Sequence, residues 1–311
     1  MPKRLQQKNQ GDGVMASRYE VFELLSGIES LSREQRGNIS RVSKRKLLNQ
    51  AGTTYLAMVE YESGKKVEGI CKEYERGQGS GWLEAATKQA LVLSALEMQD
   101  NTTGKLLDVV VGVDESDRVD KVMIVRGRIE GMTLRDFVSA RPLSEVRRRV
   151  GVLFSQLAQV SSDGVLINVG MAYCGDLSAR NVIESGRGYE IIEWDGLLGQ
   201  GGMSDLTAGY VAPEVINTEG AVAEVQADTY SLGCVLARAL IGQERFRSIV
   251  PVGDFAKFLT FDKIKNLVPR EAHDFFAFTL RKSNRDRVFS GASNPTVHYQ
   301  RSKELFMGRL S

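Results

Sequence analysis

The sequence predicts an α+β fold in two unequal parts, a small β-rich one followed by a larger, mainly helical one. Three observations lead there. Between Tyr55 and Lys72, apolar and polar residues alternate on either side of a turn at Ser63-Gly64, which marks a hairpin. Over residues 82–98 the spacing turns helical through Leu83, Ala86, Ala90, Leu93 and Leu96, and strand patterns resume at 106–113 and 121–125. Beyond these, 146–160 carries an apolar stripe at helical period, and 229–241 is apolar almost all round, as a buried helix must be.

The bulk numbers suit one two-lobed domain. The chain has 311 residues, of which 42% are hydrophobic, enough for a sizeable core. Its formal net charge of +2 argues against dedicated nucleic-acid binding. No run of apolar residues is long enough to span a membrane. Met1-Pro2-Lys3-Arg4 is not followed by an apolar segment, so no secretory signal is expected. Cys71, Cys174 and Cys234 are distant from one another and odd in number, which excludes a disulfide framework. With His273 and His298 as the only histidines, a structural zinc is not expected either. These features place the chain in a reducing, cytoplasmic compartment, which includes the host cytoplasm for an effector exported without a leader.

Ahead of the hairpin, residues 1–17 read as a loose polar tail. Residues 18–36 read as a docking helix through Val21, Leu24, Leu25, Ile28 and Leu31. Residues 1–48 hold ten Lys or Arg against five Asp or Glu, a basic arm suited to an acidic partner or simply a solvated tail.

The chemistry concentrates between 174 and 231. In Cys174-Gly175-Asp176-Leu177-Ser178-Ala179-Arg180-Asn181, an Asp and an Asn stand five residues apart on a loop entering a strand. Transfer of a phosphoryl group needs a carboxylate to receive the proton of the attacking hydroxyl. It also needs oxygen ligands for the metal on the phosphates. Asp176 and Asn181 suit those two roles. The run resembles the catalytic loop of the protein kinases, and three further motifs in order extend the resemblance. Glu193-Trp194-Asp195-Gly196 stands at the place of the family's D-F-G. Thr207-Ala208-Gly209-Tyr210-Val211-Ala212-Pro213-Glu214 resembles the end of an activation segment. Ala227-Asp228-Thr229-Tyr230-Ser231-Leu232-Gly233 resembles the helix that follows.

The resemblance covers 47–290, with a small lobe over 47–127 and a large one over 128–290; residues 1–46 form an extension and 291–311 a C-terminal tail. It implies a two-lobed protein-kinase-like fold that binds ATP with magnesium, or manganese in its place, and acts on a protein substrate. Asp176 would be the catalytic base. Asn181 and Glu193 would be the metal ligands, with Asp195 as the alternative. Lys72 would anchor the phosphates, with Glu84, or Glu97 after it, as its partner. Gly52 would be the remnant of the glycine-rich loop, and the adenine would lie near 124–127. Asp228 would cap the catalytic loop, and Glu214 would pair with Arg287; both roles are structural.

Several departures bear on function. Cys174 replaces a His, Glu193 replaces an Asp, and Gly52 alone remains of the glycines. Gly175 replaces the Arg that in many kinases receives an activation-segment phosphate, so activity is expected without phosphorylation of Ser204 or Thr207. Ser178 and Arg180 leave the acceptor open between Ser/Thr and Tyr, with the Thr-x-x-Tyr ending favouring Ser/Thr. Three readings follow: a protein kinase, a pseudokinase scaffold, or a small-molecule phosphotransferase.

Overall fold

The computed structural model describes residues 39–48, 53–76, 81–97, 106–113, 119–194, 196, 207, 209–217, 224–251, 257–289 and 294–309. Gly52, Asp195, Ser204 and the helix expected at 18–36 lie outside the described residues, as does the side chain of Glu97.

An antiparallel five-stranded sheet opens the fold. Its strands are β1 (Ile39–Leu47), β2 (Thr54–Tyr61), β3 (Lys66–Glu75), β4 (Leu106–Val113) and β5 (Val119–Gly127), in the spatial order β1-β2-β3-β5-β4. The turn at 62–65 closes the β2–β3 hairpin, where Gly64 adopts φ 81°. The register sets Thr54 beside Lys72 and Lys72 beside Ile124, so the three side chains share one face. Glu73, on the opposite face and nearly buried, ties the sheet together through Lys44 of β1 at 2.5 Å and Lys121 of β5 at 2.8 Å. Burial pushes its carboxyl up, but the hydrogen bonds from both lysines prevail and hold it below the ordinary glutamate range.

The sheet starts earlier than the motif resemblance reaches. β1 occupies the basic stretch read from sequence as part of an arm. An edge strand exposes one side to water, so Arg41, Lys44, Arg45 and Lys46 are tolerated there, and their charges hide the strand pattern.

Helix α1 (Trp82–Glu97) crosses the sheet and buries Ala86, Ala90, Leu93 and Leu96. It also buries three successive polar residues, Thr87, Lys88 and Gln89. The larger part follows a short three-stranded sheet, β6 (Met132–Thr133), β7 (Val182–Ser185) and β8 (Gly188–Ile191), and is otherwise helical. Its frame is α2 (Leu143–Ser162), α3 (Gly164–Asn168), α4 (Pro213–Asn217), α5 (Glu224–Ile241), α6 (Gln243–Ile249), α7 (Phe261–Ile264), α8 (His273–Thr279) and α9 (Pro295–Phe306). The stripe Val146, Val150, Leu153, Phe154, Leu157 and Val160 turns α2 inward, and α5 is buried on nearly every side. α9 lies in the tail beyond the motif resemblance, yet Tyr299 and Phe306 are fully buried core residues. One apolar cluster runs from Val122 and Ile124 of the sheet to Phe275 and Phe306 of the helices. The architecture is therefore a mixed α+β one, with an N-terminal sheet and a larger helical region. Among the described residues, no helix is long and apolar enough to cross a membrane.

Candidate functional site

The loop from Ala172 to Asn181 is fixed from below before any reactive group is considered. Asp228, near the start of α5, is almost wholly buried and accepts the backbone N–H of Cys174 at 2.6 Å and of Gly175 at 2.9 Å. The Tyr299 hydroxyl of α9 donates to the same carboxylate at 3.3 Å. Burial pushes the Asp228 carboxyl up, and the two backbone bonds oppose that rise. Gly175 has φ 87°, and a Cβ there would lie 2.3 Å from the carbonyl oxygen of Gly196. The two backbones therefore meet at a spacing that excludes side chains.

Above this support, Asp176 and Asn181 come together. Asn181 Nδ2 donates to Asp176 Oδ2 at 2.8 Å and to the Asp176 carbonyl at 2.9 Å. Thr207 adds its N–H to Oδ1 at 3.1 Å and its hydroxyl to Oδ2 at 3.3 Å. The carboxylate is thus oriented by both the loop and the segment before α4. Asn181 Oδ1 is buried with no hydrogen-bond partner. An orphaned amide oxygen of this kind suits a hard cation. Because Thr207 contacts Asp176, replacing it removes a positioning bond as well as a modifiable hydroxyl.

Glu193 enters through β8. The N–H of Ile192 donates to the Asn181 carbonyl at 2.9 Å, which carries the next residue over the loop. Its carboxylate lies 3.6 Å from Lys72 Nζ. Asn181 and Glu193 supply one amide and one carboxylate oxygen, the donor chemistry that magnesium takes alongside phosphate oxygens and water. Among the described residues, no three His, Cys, Asp or Glu converge on one metal position. Asn181 and Glu193 alone would leave most of a cation's oxygen shell to be filled by water or a bound ligand.

The opposite wall is different. Lys72 is brought against Ile70, Ile124, Arg126 and Gln89, and the cleft they line with Glu193 leaves about 10 Å³, roughly the room for one water. Gln89 of α1, and not Glu84, lines this cleft. Glu84 stands in the first turn of α1, whereas the Gln89 Oε1 accepts the Trp194 N–H at 2.7 Å. Arg126 is buried in the strand end where the sequence had placed the adenine. Burial lowers its guanidinium pKa, and the nearby Glu193 carboxylate opposes that fall only in part.

Lys88, the neighbour of Gln89, is fully buried. Its ammonium donates to the Cys174 carbonyl at 2.9 Å and to the Gly196 carbonyl, and sits 3.6 Å above the Tyr173 ring. It joins α1 to the two loops that carry Asp176 and Glu193. Cys174 adds a weak contact from Sγ to the Glu193 carbonyl at 3.9 Å, and burial pushes its thiol well up, so it stays neutral. Farther out, Glu214 and Arg287 form an ion pair whose guanidinium is completely buried. Arg287 also donates to the Gln226 carbonyl at 3.0 Å.

Lys88, Gln89 and Arg126 escaped the reading of the sequence. One signal was available for the first two: a run of three polar residues between Ala86 and Ala90, on a helix whose flanks are apolar. No family model matches the sequence, and no curated protein matches it.

Proposed function

We propose that the chain is an ATP-dependent protein kinase of the two-lobed fold, transferring the γ-phosphate to a protein hydroxyl, with Ser/Thr favoured. The observation that carries this reading is the Asp176 carboxylate held between Asn181 and Thr207, with the buried Asn181 Oδ1 left without a partner. The substrate oxygen would attack the γ-phosphorus as the bond to the β-phosphate oxygen breaks and ADP leaves. The hydroxyl proton passes to the Asp176 carboxylate. Asn181 and Glu193 would hold magnesium, which supplies charge neutralisation on the phosphates. Lys72, already beside Glu193, would turn its ammonium to the phosphates as the cleft opens.

A second reading, a scaffold that binds partners without transfer, is favoured by one set of facts. Arg126 and Gln89 line the cleft, and little space remains beside them. Transfer of labelled γ-phosphate from ATP, with magnesium or manganese, to the chain itself and to a generic acceptor protein separates the two. Label with the unmodified chain, falling at least ~10³-fold in Asp176→Asn, is the expected outcome. Absence of label from both, with folding intact, overturns the kinase reading in favour of the scaffold.

A further inference from the structure

A second concave site lies on the helical part, away from the cleft. It is a groove of about 240 Å³ that gathers Arg148 of α2, Arg187 of the β7–β8 turn and Lys303 of α9. Three elements distant in sequence therefore bring three cations to one place, and no acidic side chain lines it.

The neighbours of these cations show why the cluster is unusual. Arg147, Arg148 and Arg149 are consecutive. Arg147 donates to the carbonyls of Phe306 at 2.8 Å and Glu271 at 2.9 Å, so it fastens α9 to α2. Arg149 pairs with Glu184 at 2.7 Å. Arg148, Arg187 and Lys303 have no ion-pair partner among the described residues. Glu190, buried on β8, acts electrostatically on Arg187, but three cations outnumber that one carboxylate, and an anion in the groove would relieve their mutual repulsion.

The groove is also held in shape. Gly188 has φ 138°, and a Cβ there would lie 2.4 Å from the Arg149 carbonyl oxygen, so the turn bearing Arg187 rests on the α2 backbone next to Arg148. Gln156 of α2 fixes the far end of the same hairpin by accepting the Ile191 N–H at 2.8 Å. Arg147 sets α9, and with it Lys303. Two guanidinium forks, an ammonium and the exposed Ser155 hydroxyl are the donors that a phosphate monoester uses. Gly151, Val152 and Gln156 line the rest of the groove, and Gly151 and Val152 bring little bulk to it.

We propose that this groove binds a phosphoserine or phosphothreonine side chain of a peptide. The claim goes beyond the proposed activity and does not depend on it. Its test is binding of a fluorescent peptide pool of random flanks with a central phosphoserine, measured on the full chain at constant ionic strength. The phosphorylated pool is expected to bind at least tenfold more tightly than the same pool with serine. Combining Arg148→Gln with Arg187→Gln should remove at least tenfold of that affinity. Gly151→Phe provides a steric check, because a Cβ there meets nothing within 4 Å and the ring would fill the groove while leaving the cations in place. Inorganic phosphate should displace the pool from the unmodified chain. Equal binding of the serine pool, or of a pool with glutamate in its place, overturns the proposal, as does full affinity in both the charge variant and the Gly151→Phe variant.

Discussion

The two walls of the cleft are built on opposite terms. The lower wall, 172–181, secures its acids with short bonds to fixed groups: Asp176 to Asn181 and Thr207, and Asp228 to two backbone N–H groups. The upper wall, from β3, β5 and α1, sets two cations, Lys72 and Arg126, against the carboxylate of Glu193 and leaves little space between. A carboxylate positioned by rigid donors is ready to act without rearrangement. A cleft closed by facing charges must first open, and that opening takes free energy from any ligand that enters. On the proposed function, the acceptor side is preorganised and the nucleotide side is gated.

The contrast can be broken at its strongest point first. Asp228→Ala should lose about 2–4 kcal/mol of stability, because one buried and one part-buried backbone N–H lose their acceptor. Chemical denaturation measures this, and a loss below ~1 kcal/mol would mean that the loop holds itself. Lys88→Met comes next, at about 2–3 kcal/mol by the same method, since the Cys174 and Gly196 carbonyls lose their donor. Because Lys88 joins the walls, this variant should also weaken Asp176-dependent transfer, and Lys88→Arg should not restore it for lack of room around the ammonium.

Arg126→Ala tests the upper wall alone. Removing the guanidinium should tighten ADP binding about tenfold, or ~1.4 kcal/mol by calorimetry. A weaker affinity would recast Arg126 as a phosphate ligand and reverse the contrast. The smallest effect is expected outside the cleft, at Glu73. Its native pKa is depressed, so its contribution is complete above the ordinary glutamate range and is lost as pH falls through the native value. Glu73→Gln should therefore flatten the acid limb of a stability profile, and an unchanged limb would remove the Lys44–Glu73–Lys121 link from the account.

The same contrast governs what could be read from the sequence. The lower wall is contiguous: Asp176 and Asn181 lie five residues apart, and local loop geometry brings them together, so their spacing was legible. The upper wall is assembled by strand register and helix docking. Arg126 reaches the cleft beside Glu193 only because β5 pairs with β3, and Gln89 stands there in place of the expected Glu84 because α1 is buried on every side from Ala86 to Leu93, whereas Glu84 lies in its partly exposed first turn. Neither is encoded by spacing along the chain. The helical parts were legible wherever the apolar period was strong, as in 146–160. β1 was hidden by charges that an exposed edge accepts, and α9 by lying beyond the last motif.

The close backbone contact of Gly175 with Gly196 also constrains how this protein could change. An arginine at 175, the residue that would receive a phosphate from the segment before α4, would need a Cβ where the Gly196 carbonyl already stands. Control of that kind is therefore closed to a single substitution: the two loops would first have to separate, giving up the carbonyl pair that Lys88 bridges. A change in the docking of α1, or at the Thr207 hydroxyl that touches Asp176, asks for no such separation and is the shorter route to on–off regulation.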